Sequence, residues 1–276
     1  MKHTEDRCIH APLPDFALGT FSLGKRGPKL YYRQGEDYEE ILNNNREYLA
    51  RMGAAPEELV TVNQKHTARV YAVTGETGGG ADVAAVNVSG KTTAPGENIC
   101  DLKRERIPET DGLVTNIPGK VLGVYVADCS AVFLADPVSR SVGLCHAGRK
   151  GALSRICRET VRQMQENFGA EPVNIHAWIS PCICSSCYEI GPEVVEEVRQ
   201  LWGDKADRVL LRNPETGRMH FDLKKANRMV LEEAGLKASN IIAAPECTCC
   251  SRDVFYSYRG DGGIISEMAA YLMIKK

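Results

Sequence analysis

The chain has 276 residues, of which 43% are hydrophobic and 25% are charged, and this composition is typical of a folded globular protein. It excludes an intrinsically disordered chain, a collagen-like repeat and a coiled coil. With 34 basic and 36 acidic residues the formal net charge is -2, so no excess of positive charge favours binding to nucleic acid or to an anionic membrane.

The sequence shows neither a membrane-spanning segment nor a standard secretory signal. A membrane helix needs roughly 18 consecutive apolar residues, and no stretch approaches that length. The residues that follow Met1 are polar, and no long apolar run comes after them. We therefore expect a cytoplasmic protein that acts on small molecules and has no nucleic-acid or membrane partner.

Strand and helix patterns alternate along the chain, which predicts an α/β or α+β fold in one domain. In the first half we predict a helix over 37–52, strands over 59–62 and 69–73, a glycine-rich loop over 75–80, a surface excursion over 89–109 and strands over 111–115 and 121–127. In the second half we predict strands over 131–135 and 141–145, a helix over 152–168, a strand over 176–180, helices over 192–202 and 222–234, strands over 241–244 and 254–258 and a closing helix over 267–274.

Three residues near strand ends are candidates for a metal site. Cys129 and His146 each follow an apolar strand, and His66 lies in a loop between two strands. Strand ends can present side chains into a shared cleft, and two imidazoles with one thiolate suit zinc. Three protein ligands would leave an open position for a water whose pKa falls to about 7. Spacing alone leaves open the alternative that each residue belongs to the core or the surface.

Two loops are candidates for substrate contacts. The segment 147–151 turns from a strand into a helix, where unpaired N–H groups at Gly148 and the charge of Lys150 could hold a phosphate or a carboxylate. The polar loop that begins at Arg259 could line a pocket. Each segment could equally be an ordinary turn.

The chain has 11 cysteines, six of which fall in two tight groups. The groups are Cys182, Cys184 and Cys187, and Cys247, Cys249 and Cys250. They could together bind a second metal ion or form a redox pair. We interpret most of them as structural thiols, because we do not recognise the usual Cys-x-x-Cys repeat of a metal site in either group.

Several short motifs occur in the order that is typical of one protein family. They include Gln64-Lys65-His66, Ala127-Asp128-Cys129, His146-Ala147-Gly148, Cys187-Tyr188-Glu189-Ile190-Gly191 and Ser257-Tyr258-Arg259. In these motifs the chain resembles the YfiH family, whose members are called laccase-domain proteins, polyphenol oxidases, purine nucleoside phosphorylases and peptidoglycan editing factors. The resemblance implies a single catalytic domain of layered mixed β-sheets flanked by helices over 20–276, with an N-terminal extension over 1–20.

The resemblance also implies a metal site and an activity. The family's metal ligands correspond to His66, Cys129 and His146, so we expect a bound zinc ion. The implied reactions are phosphorolysis of adenosine, inosine or methylthioadenosine, and deamination of adenosine. For these reactions we predict that Asp128 is a proton shuttle, with Gly148, Lys150 and Arg259 as substrate-binding residues.

Two alternatives remain open at this point. The chain could be an amidase that removes a misincorporated amino acid from a UDP-muramoyl precursor, with Cys129 as nucleophile and His146 or His66 as base. It could also be a non-catalytic metal-binding protein. The second alternative is suggested by Arg149 and Lys150, which stand where the family usually has tryptophan and arginine.

Overall fold

The computed structural model describes residues 8–32, 36–74, 107–263 and 266–276. The loop predicted over 75–80 and most of the excursion predicted over 89–109 lie outside the described residues. Within these residues no helix is long and apolar enough to cross a membrane. The cytoplasmic location stays a prediction.

Strands and helices alternate through most of the described residues. The strands are β1 Cys8–His10, β2 Ala17–Ser22, β3 Leu59–Thr61, β4 Val70–Val73, β5 Gly112–Thr115, β6 Val121–Val126, β7 Ser130–Asp136, β8 Ser141–Ala147, β9 His176–Ile179, β10 Glu189–Ile190, β11 Leu210–Arg212, β12 Met219–Phe221, β13 Ile241–Ala243 and β14 Met268–Ile274. The α-helices are α1 Tyr38–Arg51, α2 Arg149–Leu153, α3 Ile156–Phe168, α4 Pro192–Trp202 and α5 Leu223–Glu233.

The strands form two large sheets and one small sheet. The five-stranded sheet has the order β1-β2-β14-β6-β3, the six-stranded sheet β13-β9-β7-β8-β5-β4, and the small sheet β10-β12-β11. Both large sheets are mixed: β3 runs parallel to β6 while β14 runs antiparallel to it, and β4 runs parallel to β5 while β8 runs antiparallel to it. The predicted class, α/β (α+β) with layered mixed β-sheets flanked by helices, is confirmed.

The two large sheets pack against each other, and helices cover their outer faces. Successive residues of a strand point to opposite faces, so β6 sends Leu122 and Val124 into the layer between the sheets and Tyr125 toward the face that α1 covers. In the other sheet, Phe133 of β7 joins the central layer, while its neighbour Val132 joins the cluster under α3 and α5. Both strands are therefore buried on both faces, as the apolar run over 121–127 predicts.

Local signals explain where the main helices begin and end. Asp37 caps α1 by accepting a hydrogen bond from the N–H of Glu40 at 3.1 Å, and Asp222 caps α5 through the N–H of Lys225 at 2.9 Å. Gly169 ends α3 in the left-handed conformation, with φ 69°.

Three sequence-based expectations about elements are wrong. The closing helix predicted over 267–274 is the strand β14, which lies between β2 and β6 and exchanges backbone hydrogen bonds with both. The segment predicted as a strand over 254–258 has turn, bend and irregular backbone instead. The helix predicted over 152–168 is two helices, because Arg155 adopts φ 62° between α2 and α3 and interrupts the helical hydrogen bonds.

The predicted boundary at residue 20 stays a prediction. Within the segment expected to be an N-terminal extension, Cys8–His10 forms β1 and pairs with β2 in the five-stranded sheet. These residues therefore extend a sheet that also contains β6 and β14.

We predict that Asn45→Ala destabilises the fold by about 1–3 kcal/mol. Asn45 is fully buried, accepts a hydrogen bond from the Tyr271 hydroxyl at 2.6 Å and donates to the carbonyls of Leu30 and Ile41 at 2.9 Å each. The substitution removes these three hydrogen bonds, each of which involves a buried polar group. The matched control is Asn43→Ala on the exposed side of the same helix, for which we expect a change within about 0.5 kcal/mol. Urea unfolding measures both variants, and equal losses would contradict the prediction.

Candidate metal centre

The carboxylate of Asp111, directly before β5, organises the loop that contains His66. It accepts hydrogen bonds from the backbone N–H groups of Lys65, His66 and Thr67 at 3.1, 3.0 and 2.7 Å, and from the Thr67 hydroxyl at 2.8 Å. Asp111 is fully buried. Burial alone would raise its pKa, but the hydrogen bonds from His146 and Thr67 prevail and lower the pKa to about 2. The carboxylate is therefore ionised at neutral pH.

A second anchor holds the same loop against β6. The Gln64 side chain donates to the carbonyl of Tyr125 at 2.7 Å and accepts from its N–H at 2.8 Å, so it binds the strand as a neighbouring backbone would. Two residues later, His66 adopts φ 59°, which is uncommon for a residue other than glycine. The glutamine of the Gln64-Lys65-His66 motif thus fixes where the histidine stands.

His146 lies within β8, and its ring orientation is set by Asp111. Because a carboxylate only accepts hydrogen bonds, His146 donates Nδ1–H to Asp111 Oδ1 at 2.8 Å, which leaves Nε2 as the nitrogen for a further partner. The His66 ring faces it edge-on, with ring centroids 4.7 Å apart. Burial alone would lower the pKa of His146, but the neighbouring Cys129 and Asp111 raise the pKa to about 10.

Cys129 occupies the turn between β6 and β7, and its neighbour Asp128 holds that turn in place. Asp128 adopts φ 79°. Its Oδ1 accepts from the Thr248 hydroxyl at 2.6 Å and its Oδ2 from the N–H of Arg259 at 2.7 Å, while Ile183 donates its N–H to the Asp128 carbonyl at 3.0 Å. The carboxylate thus joins the turn to the loop that carries Arg259.

The ligand atoms of His66, Cys129 and His146 lie within 4.8 Å of one another, close enough to hold one metal ion. Burial alone would raise the pKa of Cys129, but the two imidazoles lower it to about 7, which favours the thiolate that a metal ion binds. A Cβ atom at Gly148 would lie 2.5 Å from Cys129 Sγ, so only glycine leaves room beside the sulfur. This donor set fits zinc with one open position.

The three side chains open into a cavity of about 680 Å³, within the range of small-molecule sites. The residues that line it include Tyr31, Gln64, Tyr125, Asp128, Ile183, Tyr188, Tyr258, Arg259 and Glu267. Arg259 stacks over the Tyr188 ring at 5.6 Å and donates to the Glu189 carbonyl at 2.9 Å. The aromatic lining was not predicted, although Tyr188 and Tyr258 stand in two of the sequence motifs.

The predicted substrate residues take different places. Arg259 lines the cavity and Gly148 packs against Cys129, whereas Lys150 is exposed and is not among the lining residues. Arg149, where the family usually has tryptophan, is hydrogen-bonded to Glu197. The helix α2 has only five residues, so an anion site at the turn over 147–151 stays a prediction.

The structure also brings four of the clustered cysteines together: Cys184, Cys187, Cys247 and Cys250. The interpretation of the two groups as structural thiols overlooks the Cys-x-x-Cys pair inside each. That spacing is the signal that identifies the cluster from sequence.

Comparison with known proteins decides the family. The model of the family described as multi-copper polyphenol oxidoreductase laccase matches residues 28–275. The chain belongs to this laccase family. Its structure is similar to that of YlmD from Geobacillus stearothermophilus, with a TM-score of 0.80, 27% identity and coverage of 96% of this chain and 94% of that one. The hypothetical protein YfiH from Bacillus licheniformis gives a TM-score of 0.79 at 26% identity, covering 94% and 93%. The resemblance to the YfiH family is confirmed.

Relatives of this laccase-family chain carry the names of purine nucleoside enzymes. "Adenosine deaminase RL5", from an unknown prokaryotic organism, is 33% identical over 225 residues, which are 82% of this chain and 78% of the relative. A "purine nucleoside phosphorylase" from Deinococcus radiodurans is 33% identical over 239 residues, which are 87% of this chain and 79% of the relative.

We predict that Asp111→Asn weakens metal binding about 10- to 100-fold, because the amide can no longer accept from every donor that faces the carboxylate. The matched control is Asp136→Asn. Asp136 is also fully buried and accepts from the backbone N–H groups of Val138 and Glu171, but it is not part of the ligand group. Competition with a chromogenic chelator measures the affinity. A similar loss in both variants would show that the effect is general destabilisation.

Proposed function

We propose that the chain is a zinc-dependent enzyme of purine nucleosides, with phosphorolysis of adenosine, inosine or methylthioadenosine as its leading reaction and deamination of adenosine as a second one. One observation carries the proposal: the ligand atoms of His66, Cys129 and His146 lie within 4.8 Å of one another beside a cavity of about 680 Å³, which aromatic rings and an arginine also line. The names of the two relatives agree with this substrate class.

Zinc is the proposed metal because of the ligand set. Two imidazoles and one thiolate bind a single borderline-soft ion and do not suffice for the several ions of a multi-copper cluster. Neither phosphorolysis nor deamination transfers electrons, so neither reaction requires a redox metal. When bound, the zinc ion would supply a Lewis acid beside the substrate.

For phosphorolysis, we assign Arg259 to the phosphate. Phosphate oxygen attacks the sugar carbon, the bond from that carbon to the purine nitrogen breaks, and the purine leaves with a proton. The Arg259 guanidinium is oriented by the Glu189 carbonyl and by the Tyr188 ring, and its forked donors match two phosphate oxygens. Tyr188 and Tyr258 offer faces on which a purine can stack.

For deamination, water adds to the purine carbon that bears the amino group, and ammonia leaves. Asp128 lines the cavity, but its two carboxylate oxygens already accept hydrogen bonds from Thr248 and Arg259. We therefore assign Asp128 a positioning role for the Cys129 turn and the Arg259 loop, and the proton-shuttle role becomes the weaker proposal. This reasoning places phosphorolysis first.

The test is incubation of the purified chain with inosine, with and without phosphate, and separately with adenosine. We expect phosphate-dependent release of hypoxanthine. In His66→Ala we expect the rate of this release to fall at least about 100-fold and the protein to lose one equivalent of zinc. His176→Ala is the matched control, since His176 lies in β9 away from the triad. Ammonia from adenosine without hypoxanthine release would reverse the order of the two reactions. Bound zinc without turnover of any nucleoside would overturn the proposal.

We predict that Arg259→Ala raises the KM for phosphate about 10-fold or more, with a smaller effect on the KM for inosine, because a charge-assisted hydrogen bond is lost. Lys150→Ala is the comparison, since Lys150 is exposed and does not line the cavity. Steady-state kinetics at varied phosphate measures both variants. If Lys150→Ala shows the larger effect instead, the phosphate binds at the turn over 147–151.

A second candidate is the cysteine amidase, which is favoured by the lowered pKa of Cys129 beside two imidazoles. In that reaction the thiolate attacks the amide carbonyl and a histidine protonates the leaving amine. The two candidates differ in their need for metal. An amidase hydrolyses a muramoyl–amino acid amide after complete removal of metal by a chelator, whereas the nucleoside enzyme loses its activity.

A further inference from the structure

We propose that Cys184, Cys187, Cys247 and Cys250 bind a second zinc ion, in a structural site that is separate from the His66–Cys129–His146 triad. The four sulfur atoms lie within 4.8 Å of one another. None of the four belongs to the triad, and the two sites have no ligand in common. The proposal does not depend on the proposed activity.

The sulfur spacing matches tetrahedral coordination. Cys187 Sγ and Cys250 Sγ are 3.4 Å apart, and Cys184 Sγ and Cys250 Sγ are 4.0 Å apart. With zinc–sulfur bonds of about 2.3 Å, the edge of a regular tetrahedron is about 3.8 Å. The two measured distances lie on either side of this value, so small side-chain rotations are enough to close the site around an ion.

The backbone around the sulfurs also fits a site for thiolates. Each half of the cluster is a Cys-x-x-Cys turn, and in the first the N–H of Cys187 donates to the Cys184 carbonyl at 3.1 Å. The N–H groups of Cys184 and Cys250 point at Cys247 Sγ, at 3.2 and 3.4 Å. Donors aimed at a sulfur stabilise its negative charge, which a metal-bound thiolate carries.

A histidine outside the cluster holds the first turn in shape. The His220 Nδ1–H donates to the carbonyl of Ser185, between Cys184 and Cys187, at 2.8 Å. His220 lies in β12, which pairs with β10 and β11, so this hydrogen bond attaches the turn to the small sheet. This bond positions the first pair of ligands before any metal arrives.

The number of ligands points to a structural role. Four cysteine ligands complete the coordination of zinc and leave no position for a substrate, in contrast to the three ligands of the triad. Cys182 and Cys249 are near but are not part of the ligand group. Cys182 is fully buried in the apolar core, and Cys249 packs against that core.

The consequence of such a site is a fixed wall of the cavity. Cys184 and Cys247 are 63 positions apart in the sequence. The first cysteine pair is flanked by Ile183 and Tyr188, which line the cavity, and the second pair flanks Thr248, whose hydroxyl binds Asp128. A zinc ion therefore ties together two loops that position the Cys129 turn, and it reduces the freedom of both.

The decisive measurement is the metal content of the His66→Ala variant, in which the triad is impaired. We expect one equivalent of zinc per chain to remain by elemental analysis after gel filtration. Adding Cys250→Ser to this variant removes that equivalent, whereas adding Cys249→Ser, the matched control from the same turn, leaves it. Iron in place of zinc, or less than about a tenth of an equivalent of any metal, overturns the proposal.

A second measurement covers the case in which Cys250→Ser does not fold. The His66→Ala protein grown with cobalt shows the ligand-field and sulfur-to-metal charge-transfer bands of a tetrahedral four-thiolate site. Bands typical of fewer thiolates overturn the assignment. Mass spectrometry of the same protein under non-reducing conditions tests the redox alternative, because a Cys187–Cys250 disulfide lowers the mass by two hydrogens and excludes zinc from the cluster.

Discussion

The hydrogen bonds of the Asp111 carboxylate hold two of the three candidate ligands in place. The carboxylate binds the backbone of the loop that carries His66 and, through Nδ1, the ring of His146. All of these donors require the ionised acid, and burial makes each of them costly to leave without a partner. The same contact keeps a proton on Nδ1 of His146, so Nε2 is the nitrogen that can give up its proton and bind a metal ion. The conformation of the His66 loop and the orientation of the His146 ring thus depend on the buried charge of Asp111.

Asp128 does for the third ligand what Asp111 does for the other two. Its carboxylate and carbonyl connect the Cys129 turn to Thr248, Arg259 and Ile183. These partners lie on the two loops that the four-cysteine cluster joins. The part of the cavity that Arg259 and Tyr188 line therefore depends on contacts between loops that are far apart in sequence. The candidate metal ligands depend instead on strands of the two large sheets.

The sequence alone identifies the candidate metal ligands, but it does not show that they lie close together in the fold. His66, Cys129 and His146 are recognisable because each accompanies an apolar strand, but only the family motifs indicate that they converge. The prediction of a helix over 267–274 fails because Met, Ala and Leu favour helices, and a strand buried on both faces has no alternating pattern to correct that preference. The sequence predicts that the loop of Arg259 could line a pocket, but the bond from Arg259 to Asp128 joins distant residues and no local pattern predicts it.

The position of β14 within the five-stranded sheet has a consequence for synthesis. Until residue 274 has left the ribosome, β2 and β6 have no strand between them, and each presents an unpaired edge. The contacts that join Ala17–Ser22 to Met268–Ile274 span most of the chain, and such non-local pairing slows folding. Two apolar sheet edges therefore stay open until the last strand of this sheet is available to pair with both of them.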